Sequence, residues 1–248
     1  LLRRGLVIRP GLETREPACA VARYREPLEA RGESLDGKRV LVFGYGGNFA
    51  VGAELLRAGA SHVVLLDRFA PPDDRRNRDL VRAYPDYFVL QNGQIKTADA
   101  FLALIHDDVK NVKVGEKFDL VLSSSVYEHL DDVDGLTAAL AALTAPDGIH
   151  IHYVDLRDHY FKLPFEMLKF SERTWTHWLN PTSNLNRFRL RDYQRVFDSH
   201  FADAQIKVLV REPEAFARAR SRIRPEFLTG DEAHDAVTLI EVAASKPK

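Results

Sequence analysis

The chain has little sulfur and no long apolar run. It contains one cysteine, Cys19, and one methionine among 248 residues. A single cysteine excludes an internal disulfide bond and a zinc site built from several cysteines. The longest apolar stretches, such as residues 63–66, are far shorter than the ~20 residues that a membrane-spanning helix needs. We therefore expect a protein that does not span a membrane.

An excess of charge of one sign is also missing. Lys and Arg number 35 and Asp and Glu number 36, which gives a formal net charge of −1. Such a balance creates no field that draws nucleic acid or anionic lipid, and we expect neither as a partner. The N-terminal stretch lacks a long apolar segment and a small-residue cleavage site, which argues against a signal peptide and favours a cytoplasmic location.

Ordered structure is indicated most clearly after residue 37. Residues 1–37 are polar and contain three prolines, and we interpret them as a helical cap with a short helix at 18–24. A β-rich apolar run at 39–43 then meets a glycine turn, a helix-like segment at 50–58 and a second apolar run at 62–67. Strand, turn, helix and strand describe a βαβ unit, and continuously apolar strands indicate a parallel sheet covered on both faces.

The same alternation continues to the C-terminus. We predict further strands at 101–105, 118–122, 149–154, 205–210 and 237–244, with helices at 79–84, 136–143 and 190–201 and a turn at 146–148. Residues 155–188 lack a clean period and carry six phenylalanine and tryptophan residues: Phe161, Phe165, Phe170, Trp175, Trp178 and Phe188. They form either a lid over a ligand pocket or anchors for a long loop. The prediction is one α/β domain at 38–248 with an insertion at 155–188.

The glycine turn predicts a ligand site. Five residues form it: Gly44, Tyr45, Gly46, Gly47 and Asn48. Glycine permits positive φ and lets a ligand approach the backbone, and the next helix offers unpaired N–H groups. Asp67 ends the neighbouring strand 23 residues after Gly44, where a carboxylate can bind ribose hydroxyls. We predict a nucleoside-containing cofactor; the alternative is a turn that only packs helix on strand, with Asp67 as a helix cap.

The turn does not have the dinucleotide fingerprint G-x-G-x-x-G, because Phe49 occupies the third glycine position. From Val40 the chain reads V-L-V-F-G-Y-G-G-N, which resembles the V-L-D-x-G-x-G-x-G motif of class I S-adenosylmethionine-dependent methyltransferases. Val42 replaces the acid of that motif and Asn48 its last glycine. The change at Val42 removes an expected partner of the cofactor's amine, which must find another acceptor.

A second segment resembles the same family. Residues 118–130 read F-D-L-V-L-S-S-S-V-Y-E-H-L, similar to the family's F-D-x-V-x-S-x-x-V-x-E-H after strand four. The resemblance implies a Rossmann-like α/β fold, with a mostly parallel seven-stranded sheet of order 3-2-1-4-5-7-6 and helices on both faces. It also implies S-adenosylmethionine as cofactor and S-adenosylhomocysteine as product.

The resemblance assigns cofactor contacts position by position. The glycines would pass under the methionine part, Asp67 would hold the ribose, and Ser123 and Ser124 would present backbone to the cofactor. The acid that meets the adenine would be Asp107, with Asp108 as the alternative. The implied cofactor-binding set is Gly44, Tyr45, Gly46, Gly47, Asn48, Asp67, Asp107, Ser123 and Ser124.

Methyl transfer to a hydroxyl or ammonium group also needs a base, and histidine suits neutral pH. His159 follows strand five in a polar loop and is the leading candidate, with His129 in reserve. Asp155 or Asp158 would orient His159. His150 and His152 lie on one side of strand five and are interpreted as core residues.

Two other features are interpreted as structural. We predict no metal site, because Asp155, Asp158 and His159 carry suitable ligand atoms but no further ligand lies at a sensible spacing. Arginines in the stretch 186–193 either clamp an anionic acceptor or form a solvated face. The run Arg75-Arg76-Asn77-Arg78 is likewise interpreted as solvated.

The function favoured by the sequence is methyl transfer from S-adenosylmethionine to an O or N atom of a small-molecule acceptor, by a monomer or homodimer. The absence of an N/D-P-P-Y/F motif after strand four disfavours nucleic-acid methylation. The alternatives are a nicotinamide-dependent oxidoreductase with an irregular glycine turn, and a non-catalytic binding protein of the same fold.

Overall fold

Helices and strands alternate along the chain, as the apolar pattern predicts. The structure, a computed structural model, describes residues 12–98, 100–159, 161, 163–180 and 185–248. The chain folds into two compact units, and the boundary between them lies between Leu122 and Ser123. The predicted boundary between residues 37 and 38 stays a prediction. Residues 1–11 of the predicted cap lie outside the described part of the chain.

Unit 1 contains the glycine turn. Its elements are α1 (Leu12–Arg15), α2 (Pro17–Glu29), β1 (Arg39–Phe43), α3 (Ala50–Arg57), β2 (His62–Leu66), α4 (Asp74–Asn77), α5 (Leu80–Ala83), β3 (Phe88–Gln91), β4 (Gln94–Thr97), β5 (Leu102–Ile105) and most of β6 (Phe118–Ser124).

Unit 2 contains the predicted insertion. Its elements are α6 (Val133–Ala142), β7 (Thr144–Asp155), α7 (Glu172–Thr174), α8 (Leu190–His200), β8 (Phe201–Arg211), α9 (Pro213–Ala219), α10 (Glu232–Asp235) and β9 (Val237–Pro247). Short 3-10 helices lie at Val109–Asn111 in unit 1 and at Tyr127–His129, Glu166–Lys169, Arg220–Arg222 and Pro225–Phe227 in unit 2, with one π-helical turn at Trp175–Leu179.

The main strands form one seven-stranded sheet in the order β5-β2-β1-β6-β7-β9-β8. β1 pairs in parallel with β2 and β6, and β2 pairs in parallel with β5. β9 runs antiparallel to both β7 and β8. Counted along this sheet alone, the order is 3-2-1-4-5-7-6, so the predicted Rossmann-like, mostly parallel architecture is confirmed.

Strands β1 and β2 form the core of unit 1 because their side chains are apolar on both faces. Val40, Leu41 and Val63 are fully buried. Helix α3 packs closely on the sheet at Gly52, where a Cβ atom would come within 3.0 Å of Leu102 and 3.1 Å of Leu65. This packing places the N-terminus of α3 directly after the glycine turn.

In unit 2 the apolar faces of β7, β9 and α8 are buried. Tyr193 and Phe197 on α8 are fully buried. Part of the insertion forms its own apolar cluster, in which Phe165 and Trp175 pack with Phe216 of α9. Trp178, by contrast, is 78% exposed. The aromatic residues of the insertion are therefore of two kinds, buried anchors and an exposed ring.

Several predicted elements need correction. The expected helix at 18–24 extends from Pro17 to Glu29 and includes Pro27. The expected turn at 146–148 lies inside β7, which begins at Thr144. The expected helix at 79–84 is limited to α5, and the antiparallel pair β3 and β4 was not predicted.

Among the residues that the structure describes, no helix combines the length and apolar character needed to cross a membrane.

Candidate active site

The glycine turn after β1 adopts the backbone conformation that glycine favours. Gly44, Gly46 and Gly47 have φ values of 77°, 67° and 82°. The N–H of Gly44 donates to the carbonyl of Leu66 at 2.8 Å, which joins the turn to the end of β2. A Cβ atom on Gly47 would lie 2.6 Å from the carbonyl oxygen of Pro71. Gly47 is therefore required by the close approach of the Pro71 backbone, whereas a Cβ atom on Gly46 would meet nothing within 4 Å.

Asp67 is buried beside this turn and already holds backbone groups. Its Oδ2 accepts from the N–H of Gly46 at 3.0 Å. Its Oδ1 accepts from the N–H groups of Phe69 and Ala70, both at 2.8 Å. A carboxylate offers about four acceptor positions, so Oδ2 retains one position for a ribose hydroxyl. Burial, with the charge of Asp67 in addition, raises the pKa of Tyr45 to about 12.

Two asparagines hold the turn in ways that the sequence did not reveal. Asn77 is fully buried; its Nδ2 donates to the carbonyl of Gly47 at 2.8 Å, and its Oδ1 accepts from the N–H of Phe49 at 2.9 Å. The interpretation of residues 75–78 as solvated is therefore wrong at Asn77. The Oδ1 of Asn48 accepts from the N–H of Ala50 at 2.9 Å, so Asn48 holds the first residue of α3 rather than adopting positive φ.

Asp107 and Asp108 follow β5, as predicted. The carboxylate of Asp107 is exposed and accepts from Asn111 Nδ2 at 2.9 Å and from the N–H of Asp108 at 2.6 Å. These hydrogen bonds lower the pKa of Asp107 below its usual value. Asp108 instead pairs with Arg68 at 2.9 Å and accepts from the N–H of Lys110.

In unit 2, buried polar side chains form a continuous series that we call the histidine chain: Ser123, His152, His150 and Thr144. Ser123 Oγ and His152 Nδ1 lie 2.7 Å apart, and His152 Nε2 lies 3.1 Å from His150 Nδ1. His150 Nε2 lies 2.7 Å from Thr144 Oγ1. Burial lowers the pKa of His150 to about 3 and that of His152 well below its usual value. The prediction that both histidines are core residues is confirmed.

Ser124 is half-buried at the end of β6, and the chain turns directly after it. Ser125 has a φ of 53°, and its N–H donates to the carbonyl of Tyr153 at 2.9 Å. The segment that carries His129, the reserve base, therefore leaves the strand through a strained residue.

A second polar group, here called the Glu128 cluster, consists of Glu128, His129 and His159. One potential ligand atom from each residue lies within 4.8 Å of the other two. The rings of His129 and His159 have centroids 5.4 Å apart. Glu128 is only 2% exposed, and neither carboxylate oxygen has a hydrogen bond of good geometry in the described part of the chain, although the Ser125 side chain and the Asp155 backbone lie near it. Burial raises the pKa of Glu128 well above its usual value.

Asp155 is the aspartate that contacts His159. Its Oδ2 lies 3.4 Å from His159 Nε2, and Arg157 holds the same carboxylate at 2.6 and 2.8 Å. Burial opposes ionisation of Asp155, but the hydrogen bonds from Arg157 and His159 outweigh it and lower the pKa of this carboxyl. Asp158 is buried and instead accepts from the N–H of Phe161 at 2.8 Å.

Leu130, the residue that follows His129, lines a cavity of 820 Å³. It has apolar and charged walls; the residues include Leu130, Trp175, Asn186, Arg187, Phe188 and Phe227. Asn186 connects this cavity to the Glu128 cluster, because its N–H donates to the carbonyl of Glu128 at 2.7 Å and its Nδ2 to that of Tyr127 at 2.8 Å.

Arg187 and Arg189 are buried and bind backbone carbonyls, contrary to both predicted roles. Arg187 donates to the carbonyl of Phe170 at 2.6 Å and pairs with Glu172. Arg189 donates to the carbonyls of Leu156 at 2.8 Å and Val237 at 2.5 Å, and burial lowers its pKa to about 10. Neither guanidinium is a solvated surface group, and each is already engaged.

Comparison with known families decides the class of the protein. The family model described as a methyltransferase domain matches residues 13–200. The chain belongs to this methyltransferase family. The predicted resemblance to class I S-adenosylmethionine-dependent methyltransferases is thus confirmed, and the alternative of a nicotinamide-dependent oxidoreductase is not supported. A comparison with curated proteins gives no match.

Solved methyltransferase structures share the fold. Magnesium protoporphyrin IX methyltransferase from Synechocystis PCC 6803, with bound S-adenosylhomocysteine, has a TM-score of 0.52 and 15% identity, over 98% of this chain and 92% of that chain. Phosphoethanolamine N-methyltransferase 2 from Haemonchus contortus, in complex with phosphomonomethylethanolamine and S-adenosylhomocysteine, has a TM-score of 0.54 and 16% identity, over 91% of this chain and 53% of that chain.

A third structure adds another acceptor. The 1,6-didemethyltoxoflavin-N1-methyltransferase of Burkholderia thailandensis was crystallised with 1,6-didemethyltoxoflavin and S-adenosylhomocysteine. It has a TM-score of 0.50 and 16% identity, over 95% of this chain and 79% of that chain. Identities this low establish a shared fold, while the acceptors of these enzymes differ.

Proposed function

We propose that this protein transfers a methyl group from S-adenosylmethionine to an O or N atom of a small-molecule acceptor. The observation that carries the proposal is the glycine turn, whose three glycines have positive φ and whose Gly46 N–H is held by Asp67. Family membership supports it, because methyltransferases of this fold have been crystallised with S-adenosylhomocysteine.

The proposed cofactor contacts follow the turn and the strand ends. Residues 44–48 would face the methionine part, and the remaining acceptor position of Asp67 would take a ribose hydroxyl. Asp107 would meet the adenine amine after β5, and Ser123 and Ser124 would offer backbone groups at the end of β6. Because Oδ1 of Asp67 already accepts two N–H groups, we propose one ribose contact rather than the pair suggested by the sequence.

For the acceptor, we propose that the 820 Å³ cavity of unit 2 belongs to its binding site. His159 is the proposed base, with Asp155 orienting its ring, and His129 is the reserve. A neutral imidazole would take the acceptor's proton as the new bond to carbon forms, which contributes about 10²–10⁴-fold in rate. The aromatic insertion at 155–188 is proposed to cover the acceptor.

The finer expectations are also proposals. We propose that nucleic acid is not an acceptor, because the charge of the chain is balanced. The cytoplasmic location and the monomeric or homodimeric state stay predictions.

Calorimetric titration tests the cofactor directly. We expect S-adenosylhomocysteine and S-adenosylmethionine to bind and NAD not to bind. Asp67→Ala should weaken binding by about 1.5–3 kcal/mol, because charge-assisted hydrogen bonds are lost. Asp79→Ala is the matched control, since Asp79 is exposed and its side chain caps nothing. Micromolar binding of NAD with no response to S-adenosylhomocysteine would contradict the proposal.

The base is tested once an acceptor is known. His159→Ala should reduce turnover by about 10²–10⁴-fold while the affinity for S-adenosylmethionine stays unchanged. A crystal structure with bound S-adenosylhomocysteine gives an independent check, because a His159 ring far from the sulfur and turned to solvent would exclude this role. Cofactor binding without turnover on any acceptor is what a non-catalytic protein of this fold would show.

A further inference from the structure

The Glu128 cluster has the composition of a metal site, and its members differ from the set considered in the sequence. Two imidazoles and one carboxylate face each other, with one ligand atom from each residue within 4.8 Å of the others. Asp158, which the sequence offered as a ligand, is engaged with Phe161 instead. Glu128 and His129 belong to the 3-10 helix after β6, and His159 belongs to the turn after β7.

Glu128 is an independent indication of a missing partner. The residue is only 2% exposed, and among the described residues neither carboxylate oxygen has a hydrogen bond of good geometry. Burying an unpaired carboxylate costs several kcal/mol, and buried charges in proteins are paired or coordinate metal ions. The carboxylate is therefore placed where a cation would satisfy it.

The surroundings of His159 fit a metal ligand. Metal-binding histidines usually donate their second ring N–H to a carboxylate, which fixes the ring. Asp155 lies 3.4 Å from His159 Nε2 and is itself held by Arg157. With Nε2 directed to Asp155, Nδ1 is the nitrogen available for an ion.

The three side chains of the Glu128 cluster must move slightly closer together to bind an ion. Ligand atoms around a tetrahedral zinc ion lie about 3.3 Å apart, since each bond is about 2.0 Å. Because the three ligand atoms all lie within 4.8 Å of one another, the movement needed is at most about 1.5 Å. The side chain of His159 is 34% exposed and is the member with room to move.

We propose that Glu128, His129 and His159 bind a divalent transition-metal ion of the Zn²⁺ type. Two imidazoles and one carboxylate favour zinc and its neighbours, whereas Mg²⁺ prefers an all-oxygen set. Three protein ligands leave a coordination position open for an oxygen or nitrogen atom. If the proposed function is right, that atom belongs to the acceptor. The ion would lower the pKa of the acceptor group, whose proton would pass to solvent. His159 is then a ligand, and the base proposed above is replaced.

The test is a calorimetric titration of metal-depleted, tag-free protein with ZnCl₂ alone. We expect saturation at one equivalent, and no saturable binding of MgCl₂. Glu128→Gln and His159→Ala should each weaken zinc binding at least about tenfold. His177→Ala is the control, because His177 is exposed and lies outside the cluster. Titration with CoCl₂ should give a visible absorption band that both cluster variants lose.

The opposite results are equally clear. Absence of saturable zinc binding, or zinc binding that is unchanged in His159→Ala, would overturn the proposal. If Glu128→Gln does not fold, His159→Ala decides, because this side chain is partly exposed. Titration of the same samples with S-adenosylhomocysteine separates the two proposals. Cofactor binding without zinc binding overturns only the metal site, and zinc binding without cofactor binding overturns only the proposed function.

Discussion

The histidine chain and the Glu128 cluster are both buried polar groups of unit 2, yet they differ in how their hydrogen bonds are satisfied. In the histidine chain every ring nitrogen has a partner at 2.7 to 3.1 Å. In the Glu128 cluster the most deeply buried side chain has none among the described residues. A satisfied buried network stabilises the fold, whereas an orphaned carboxylate lowers stability unless a ligand completes it. The comparison separates residues that serve structure from those proposed to serve function.

The largest effect should come from acid. His150 and His152 of the histidine chain have pKa values in the folded state below the unfolded value of 6.5, because burial disfavours the charged ring. Below pH 6.5 the unfolded chain takes up protons that the folded chain does not, so stability present at neutral pH is lost as pH falls. The loss is about 1.4 kcal/mol per pH unit for each histidine, or about 4 kcal/mol for the pair between pH 7 and pH 5.

Urea unfolding at a series of pH values measures this loss. His152→Gln should reduce the slope by about 1.4 kcal/mol per pH unit, because one of the two buried rings is removed. An unchanged slope would show that the buried rings are not the source of the acid sensitivity.

The next largest effect should be that of His150→Ala at neutral pH. The variant leaves a cavity and removes a partner from both Thr144 and His152, which should lower the free energy of unfolding by about 3 kcal/mol. His177→Ala, on an exposed ring, should change it by less than about 0.5 kcal/mol. Equal losses in the two variants would show that the histidine chain does not stabilise the fold.

A smaller effect is expected for Glu128→Gln in metal-free protein. Gln has nearly the same size and shape as Glu, and burial already disfavours the charged form of Glu128, so the free energy of unfolding at neutral pH should change by less than about 1 kcal/mol. Urea unfolding in the presence of a chelator provides the measurement. A loss as large as that of His150→Ala would mean that Glu128 is a structural residue.

The smallest effect should be that of His159→Ala on stability. The ring is partly exposed and faces Asp155, and exposed ion pairs contribute about 0–1 kcal/mol. We expect a change in the free energy of unfolding of less than about 0.5 kcal/mol, measured as before. A larger loss would place His159 among the residues that hold the fold.

The sequence predicts the sheet well because its signals are local. The apolar runs at β1, β2 and β6 and the glycine turn between the first two require no knowledge of tertiary contacts. The hairpin of β3 and β4 has a local signal as well, the Asn92-Gly93 pair. Asn92 and Gly93 both have positive φ, as expected for an Asn-Gly turn between two strands.

The site is less predictable because it depends on contacts distant in sequence. The burial of Arg189 follows from carbonyls of Leu156 and Val237, which no spacing rule connects to it. Likewise, Asn77 lies in an arginine-rich run, and only the fold brings it to Gly47. The choice of Asp155 over Asp158 beside His159 also requires the structure, since both aspartates lie close to it in sequence.

The histidine chain also fixes the direction in which its protons point. Thr144 has one hydroxyl hydrogen, and Oγ1 lies 2.7 Å from the carbonyl oxygen of Leu140, which can only accept. His150 Nε2 must then donate to Thr144, and His152 Nε2 must donate to His150 Nδ1. His152 Nδ1 consequently accepts the hydroxyl proton of Ser123. At the end of β6, the side chain of Ser123 can therefore offer a ligand only an acceptor, and any donor must come from the backbone.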